Sequence, residues 1–324
     1  MKKLLLATAI AALSVSAANA APTVYGKAFI TTDYVNSDDN TTETDSLQIN
    51  SNSSRIGFKG SEAMTANTDV VYQLEYNVDI DNDRAATFVS RDTYLGLNND
   101  KYGEFRFGNN TSSTDYINNV LVADGYYDNQ DSFMADSGRR NNSILWKAPT
   151  YNGLPLSVYA TYSADETAVE SSSDRNNGYG VSGMYDAGTG FTAGVSYDSD
   201  LNIAGDLIRG TASVDMSKFM SLPLTVGALY QVADYDDAAE DETGVMVSAK
   251  LGLTNFAKPT SVYAQYIMTS DKDGVTDADA DQFVMGGKYS YQPNMIVHAY
   301  AGTSSFDVSD TDTIAVGGGL EYLF

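Results

Sequence analysis

Cysteine is absent from this 324-residue chain, so no disulfide framework holds the fold and thiol catalysis is excluded. Histidine occurs once, as His298, in the alternating stretch Met295-Ile296-Val297-His298-Ala299-Tyr300. No Gly-x-Ser-x-Gly elbow, zinc motif or phosphate-binding loop accompanies it, and His298 reads as a wall residue rather than a catalytic base. No enzyme activity, cofactor or metal site is expected. The enzymatic alternative is a barrel phospholipase pairing a serine with His298, and it predicts lipid hydrolysis that is lost when His298 is changed.

Bases are also scarce. Nineteen Lys and Arg stand against 43 Asp and Glu, a formal charge of −24. Such a balance argues against nucleic acid, whose phosphates need Lys and Arg, and against docking on anionic lipid. Aqueous cations or divalent metal ions are the natural partners of that charge. Long apolar runs are missing too: beyond residue 20 no stretch of 18 apolar residues offers a transmembrane helix.

Residues 1–20 read as an export signal. Lys2 and Lys3 begin it, Leu4 to Val15 is mostly apolar, and Ala18-Asn19-Ala20 fits a small-residue cleavage site. Residues 21–324 are then one domain.

What fills that domain is period-2 alternation in pieces of about 8–12 residues, the signature of transmembrane β-strands. Sixteen such pieces are readable: 23–34, 51–60, 67–78, 88–97, 103–109, 142–148, 155–163, 178–187, 191–198, 207–216, 222–233, 244–253, 259–270, 282–291, 295–306 and 313–324. The connections alternate short and long. Short ones include Asn98–Tyr102, Ala187–Gly190, Asn255–Lys258 and Tyr291–Asn294, and long ones include Val35–Ser46, Asp79–Thr87, Ala164–Asn177, Asp198–Asp206, Asp234–Thr243, Ser270–Asp281 and Asp307–Asp312. Seven turns on one rim and eight loops on the other predict an all-β fold, a sixteen-stranded antiparallel transmembrane barrel.

The faces agree. Val24, Gly26, Ala28 and Ile30 alternate with Lys27, Ile56 and Phe58 alternate with Arg55 and Lys59, and Ile314, Val316, Gly318, Leu320, Tyr322 and Phe324 lie opposite Glu321. Lipid demands the apolar face outside and a water-filled lumen permits the polar face inside. Trp146 and the tyrosines near strand ends would supply interfacial girdles.

One connection is far longer than the rest. The polar segment 110–141 carries Asp115, Asp124, Asp128, Asp131 and Asp136 and ends in Arg139-Arg140. Segments this long without structure of their own are uncommon and tend to be functional. It is expected to fold into the lumen and narrow it. Elsewhere the surplus acids gather in the outer loops, as in Asp234 to Glu242 and Asp271 to Asp281, and read as a solvated rim that concentrates cations. Asp271-Lys272-Asp273-Gly274 lacks the later spacing of a calcium loop.

Val24-Tyr25-Gly26-Lys27, Ser54-Arg55-Ile56-Gly57-Phe58-Lys59-Gly60-Ser61-Glu62, Arg91-Asp92-Thr93-Tyr94-Leu95-Gly96-Leu97, Gly103-Glu104-Phe105-Arg106-Phe107-Gly108 and the terminal Leu320-Glu321-Tyr322-Leu323-Phe324 together resemble the Gram-negative general diffusion porins, across the whole chain after the signal. The resemblance implies an outer-membrane homotrimer that passes ions and small hydrophilic solutes. It places Lys27, Arg55, Arg91, Arg139 or Arg140, and more weakly Lys59, on the basic side of a pore constriction, and makes Phe324 the assembly signal. The family's Pro-Glu-Phe-Gly-Gly run is missing from this loop, which leaves Asp124, Asp128 and Asp131 as the acidic candidates. Alternation from Arg91 puts Asp92 on the outer face.

The expected function is therefore passive diffusion with a mild cation preference. A substrate-specific channel with aromatic rails at Tyr116, Tyr126 and Tyr127 is the first alternative, and a plugged structural or adhesive barrel is the second.

Overall fold

The computed structural model describes residues 21–81, 88–150, 153–164 and 177–324, and the expected export signal lies outside them. Among these residues a single antiparallel sheet winds through sixteen staves. They are β1 (Thr23–Asp38), β2 (Glu43–Ser51 with Arg55–Thr65), β3 (Thr68–Val78), β4 (Phe88–Asn99), β5 (Gly103–Thr111), β6 (Arg139–Lys147), β7 (Leu156–Ser163) and β8 (Gly178–Asp186). Then follow β9 (Phe191–Ser199), β10 (Gly205–Asp215), β11 (Leu224–Tyr235), β12 (Glu242–Leu253), β13 (Thr260–Ser270), β14 (Ala280–Gln292), β15 (Met295–Phe306) and β16 (Thr311–Leu323).

β2 is one stave in two pieces, because both pieces pair with β1, Ile30 opposite Ser51 and Lys27 opposite Arg55. At the break the lost ladder bonds are replaced: Asn52 N donates to Phe29 O at 2.9 Å, Phe29 N donates to Ser54 Oγ at 2.9 Å, and Ser54 Oγ returns a bond to Phe29 O at 3.1 Å. β1 pairs with β16 from Lys27–Leu323 to Asp38–Asp312, and Phe324 exchanges two backbone hydrogen bonds with Gly26, so the sheet closes without an edge.

The two faces invert the pattern of a water-soluble protein. Leu95, Val195 and Val316 are more than half exposed, while Asp33, Gln231 and Gln265 are buried. An exterior of exposed Val, Leu, Ile and Phe around an interior of Thr, Ser, Gln, Asp and Arg suits a barrel whose outer solvent is hydrocarbon, since a closed ladder pairs the backbone N–H and C=O groups of its strands.

Loop lengths depart from the sequence reading. β1 and β2 continue to Asp38 and from Glu43, so the expected loop Val35–Ser46 is a turn of residues 39–42, closed by the Asp39 carboxylate on the amides of Thr41 and Thr42. Residues 198–206 and 234–243 likewise lose their ends to strand, leaving 200–204 and 236–241. On the opposite rim, 216–223 is longer than expected and holds a 3-10 turn, Met216–Lys218. The strands project beyond the alternating core because polar residues pair in a ladder as well as apolar ones once water replaces lipid on both faces.

Candidate functional site in the barrel lumen

Residues 112–138 lie inside the barrel, as three short 3-10 turns (Thr114–Ile117, Gly125–Tyr127, Gln130–Ser132) joined by irregular chain. The inner wall opposite is adapted to this segment. Leu229, Met246, Ile267 and Ala280 face inward but are apolar, and they pack on Val120, Phe133 and Met134. Val35, Tyr263, Val284, Tyr300 and Ala315 receive Ala123 and Tyr127.

Polar side chains on the same wall satisfy the irregular backbone. Gln265 Oε1 accepts from Val122 N (2.9 Å) and Ala123 N (3.2 Å), Ser248 Oγ donates to Val120 O, and Thr211 Oγ1 donates to Ile117 O. Tyr300 Oη accepts from Tyr126 N and donates to buried Asp33. A buried loop without such partners would leave unpaired amides at about 1–3 kcal/mol each. Glu242 belongs to this set rather than to the solvated rim. It is fully buried and accepts from Ala135 N at 2.6 Å, from Tyr235 Oη and from Asp273 N.

The wall bases converge on one residue the sequence did not single out. Glu75 accepts Arg91 Nε at 2.7 Å and Tyr25 Oη at 2.9 Å, with Arg55 Nε at 3.7 Å. Lys27 and Lys59 stand nearby, Lys27 Nζ 5.3 Å from the Phe29 ring centre and Lys59 Nζ 4.9 Å from that of Tyr25.

Asp92 corrects the alternation argument. The β3–β4 register slips between Leu74–Thr93 and Tyr76–Ser90, so Arg91 and Asp92 share the place opposite Glu75. This β-bulge turns both inward. Asp92 accepts from Thr111 N and Oγ1 and lies 3.4 Å from Arg139 Nε. Arg139 therefore joins the basic group. Arg140 turns away from it, buried, with Nη1 donating to Asn202 Oδ1 at 2.8 Å.

Two of the three candidate acids face bases. Asp124 forms an ion pair with Lys288, which also lies over Tyr263. Asp128 is open to lumen water yet enclosed by protein on most sides; that enclosure and neighbouring Asp124 push its carboxyl up to about 6, against the opposing pull of Lys27 and Lys288. Asp131 is raised by burial and by Asp136, and no ion pair is seen for it among the described residues. Asp115 is pushed far up by burial and by neighbouring Asp136, against the opposing pull of Arg209 and Arg139.

Arg106, Glu104 and Tyr159 escaped the sequence reading as site residues, whereas Tyr116, Tyr127 and His298 did not. Arg106 pairs with Glu104 at 2.6 Å, donates to Tyr116 Oη and lies over Tyr94, while Tyr116 stacks on Tyr159 with ring centres 3.8 Å apart. Tyr127 is fully buried and offers no rail to a solute. His298 is buried against Phe29 with Nε2 2.9 Å from Glu321 Oε2, and no serine hydroxyl is seen bonded to it among the described residues. The signal for Glu75 was present in its position on the Lys59 face; a single Glu in a strand carries no mark of convergence.

These features define a closed membrane barrel with a charged lumen and an internal segment. A profile of the Gram-negative porin family matches residues 7–310, and the chain belongs to that family, whose members are outer-membrane barrels. Outer membrane porin N of Escherichia coli (strain K12) is 28% identical over 179 residues, 49% of this chain and 47% of the relative, so the match spans about half the relative's length. Among solved structures, an anion-selective porin from Comamonas acidovorans superposes with TM-score 0.77 at 18% identity, covering 94% of this chain and 100% of its own. Salmonella typhi OmpF in complex with daunomycin gives 0.73 at 16% identity over 94% and 97%. In-vitro folded OmpT of Vibrio cholerae, in its trimer form, gives 0.64 at 16% over 94% and 100%. At these identities the structural likeness concerns the fold.

Proposed function

We propose that the protein is a passive diffusion channel for ions and small hydrophilic solutes, with residues 112–138 narrowing its lumen. The observation that supports this most is the placement of that segment inside a closed barrel whose water-facing wall carries charge. No step is chemical. Solutes pass if they fit beside the segment, and the bases gathered at Glu75 opposite Asp124 and Asp128 orient polar molecules and disfavour apolar ones.

The net preference is mild and for cations. Lys27, Arg55, Lys59, Arg91 and Arg139 are partly neutralised by Glu75 and Asp92, which leaves the surplus acids of the outer loops to set the sign. The relative from Comamonas acidovorans is anion-selective, but a fold shared at 18% identity does not carry the sign of selectivity. Homotrimers are the proposed assembly, a trimer form being described for the Vibrio cholerae relative. Phe324 is the proposed assembly signal, seated on Gly26, where an added Cβ would stand 2.3 Å from its ring.

Liposome swelling tests the reading. Vesicles carrying the refolded protein are expected to swell in isotonic neutral sugars at rates that fall steeply with sugar size. Folded protein that leaves the vesicles as tight as protein-free controls would overturn the channel and favour the adhesive barrel.

A further inference from the structure

We propose that Asp198 is a latch that sets the bore: a positioning residue on β9 that gathers both limbs of segment 112–138 at their neck. The inference rests on the reading above, in which that segment borders the permeation path.

The limbs part immediately beyond the last rung joining β5 to β6, Thr111 opposite Arg139, after which Ser112 N still donates to Gly138 O at 2.9 Å. One step further along, the limbs no longer bond to each other and both turn to Asp198. Its Oδ1 accepts Ser113 Oγ at 3.3 Å, and its Oδ2 accepts Thr114 Oγ1 from the outgoing limb and Ser137 Oγ from the returning limb. One carboxylate thus receives three hydroxyls from two chain segments 23 residues apart. All four residues are buried, and Asp198 is 2% exposed.

The surrounding wall is cleared for this contact. Gly180 on β8 is the register partner of Asp198, and a Cβ there would meet Asp198 Oδ1 at 2.0 Å and Ser113 Oγ at 2.6 Å. Two more wall hydroxyls hold the same limb, Thr161 Oγ1 accepting from Ser113 N and Ser182 Oγ donating to Ser113 O. Beyond the latch, Arg209 on β10 takes over the returning limb: it donates to Ala135 O and Gln231 Oε1 and lies 3.2 Å from Asp136. Asp198 forms no ion pair among the described residues, so its direct partners are three hydroxyls that are in place only while both limbs are seated, with the Arg209 cation acting from farther off. Hydrogen bonds to a buried carboxylate are among the stronger ones, and their loss frees two segments at once.

The latch lies in the seat of the segment and none of the sixteen staves depends on it for ladder bonds. Asp198→Ala is therefore expected to preserve the barrel while unseating the neck. The experiment records single channels of wild type, Asp198→Ala, and Asp198→Ala carrying Ser113→Cys and Ser137→Cys, with barrel integrity followed by heat-dependent electrophoretic migration. Because the chain has no cysteine, the two introduced thiols can pair only with each other within a chain.

The expected result is loss of the single quiet conductance level in Asp198→Ala, a wider cut-off for neutral polyethylene glycols, and recovery of both on oxidation of the double-cysteine form. Gly180→Ala, which intrudes on the same contact from the next strand, is expected to show the same noise. Quiet, wild-type channels in Asp198→Ala would overturn the latch while leaving the channel intact, and so would noise that the oxidised disulfide leaves unchanged. A wild type that conducts nothing would instead overturn the channel reading on which the latch rests.

Discussion

Arg91 meets Glu75 at 2.7 Å because a β-bulge gives β4 one residue more than β3 at that level, and the same bulge brings Asp92 round to Arg139. One inserted residue thus brings both a base, Arg91, and an acid, Asp92, into the group around Glu75. Removing the Glu75 charge should unmask the bases. Glu75→Gln is expected to leave Arg55 and Arg91 without their counter-ion and to move the reversal potential in a salt gradient toward anions, whereas Glu62→Gln, outside the group, should not. An unchanged potential would show that Glu75 has no part in selectivity.

Asp128 gives the channel a pH dependence with a defined sign. Its carboxyl is pushed up to about 6, so it is charged at pH 7 and becomes neutral as pH falls through 6 toward 5. Cation preference is expected to decline over that window, and the folded state to lose a small electrostatic penalty there, since a raised carboxyl favours folding at the lower pH. In Asp128→Asn the step near pH 6 should vanish. A wild-type selectivity that stays flat from pH 7 to 5 would contradict this assignment.

Gly125 and Tyr300 hold the tip of the internal segment. Gly125 has φ of 69° and a Cβ there would stand 2.4 Å from Tyr300 Oη, so Gly125→Ala should lift the tip. Tyr300→Phe removes the bonds to Asp33 and to Tyr126 N, at a cost of about 1–3 kcal/mol for groups left buried and unpaired. Both variants are expected to shift conductance while retaining a heat-resistant barrel. Wild-type conductance in both would mean the tip is not seated by this contact.

On the outer face, Leu95 lies near the middle of β4 and is 60% exposed. Leu95→Arg should destabilise the barrel by about 2–4 kcal/mol in a bilayer, as for Arg near a membrane midplane. Reversible unfolding in lipid vesicles measures this directly, and a change under about 1 kcal/mol would place Leu95 against something other than hydrocarbon.

The staves were legible because two-residue alternation survives in each of them, from Val24–Ile30 to Ile314–Phe324. Loop lengths were not, since polar hairpins such as 35–46 look like loops until their register is known. Alternation put Lys27 and Arg55 on one face, and the register sets them opposite each other. Asp92 was misplaced because a bulge shifts parity by one residue and leaves no composition signal. The wall beneath the internal segment did leave a trace: Leu229-Tyr230, Met246-Val247 and Ile267-Met268 are apolar on both faces, where a purely water-lined wall would alternate. The roles of Asp198, Glu242 and Gln265 depend on contacts made across the lumen, and spacing along the chain says nothing of them.

The most direct test of the account is single-channel recording in a planar lipid bilayer, followed by the reversal potential in a salt gradient. The account predicts discrete ohmic steps, arriving in threes, and a modest potential of the sign given by cation preference. A correctly folded barrel that carries no current would contradict it.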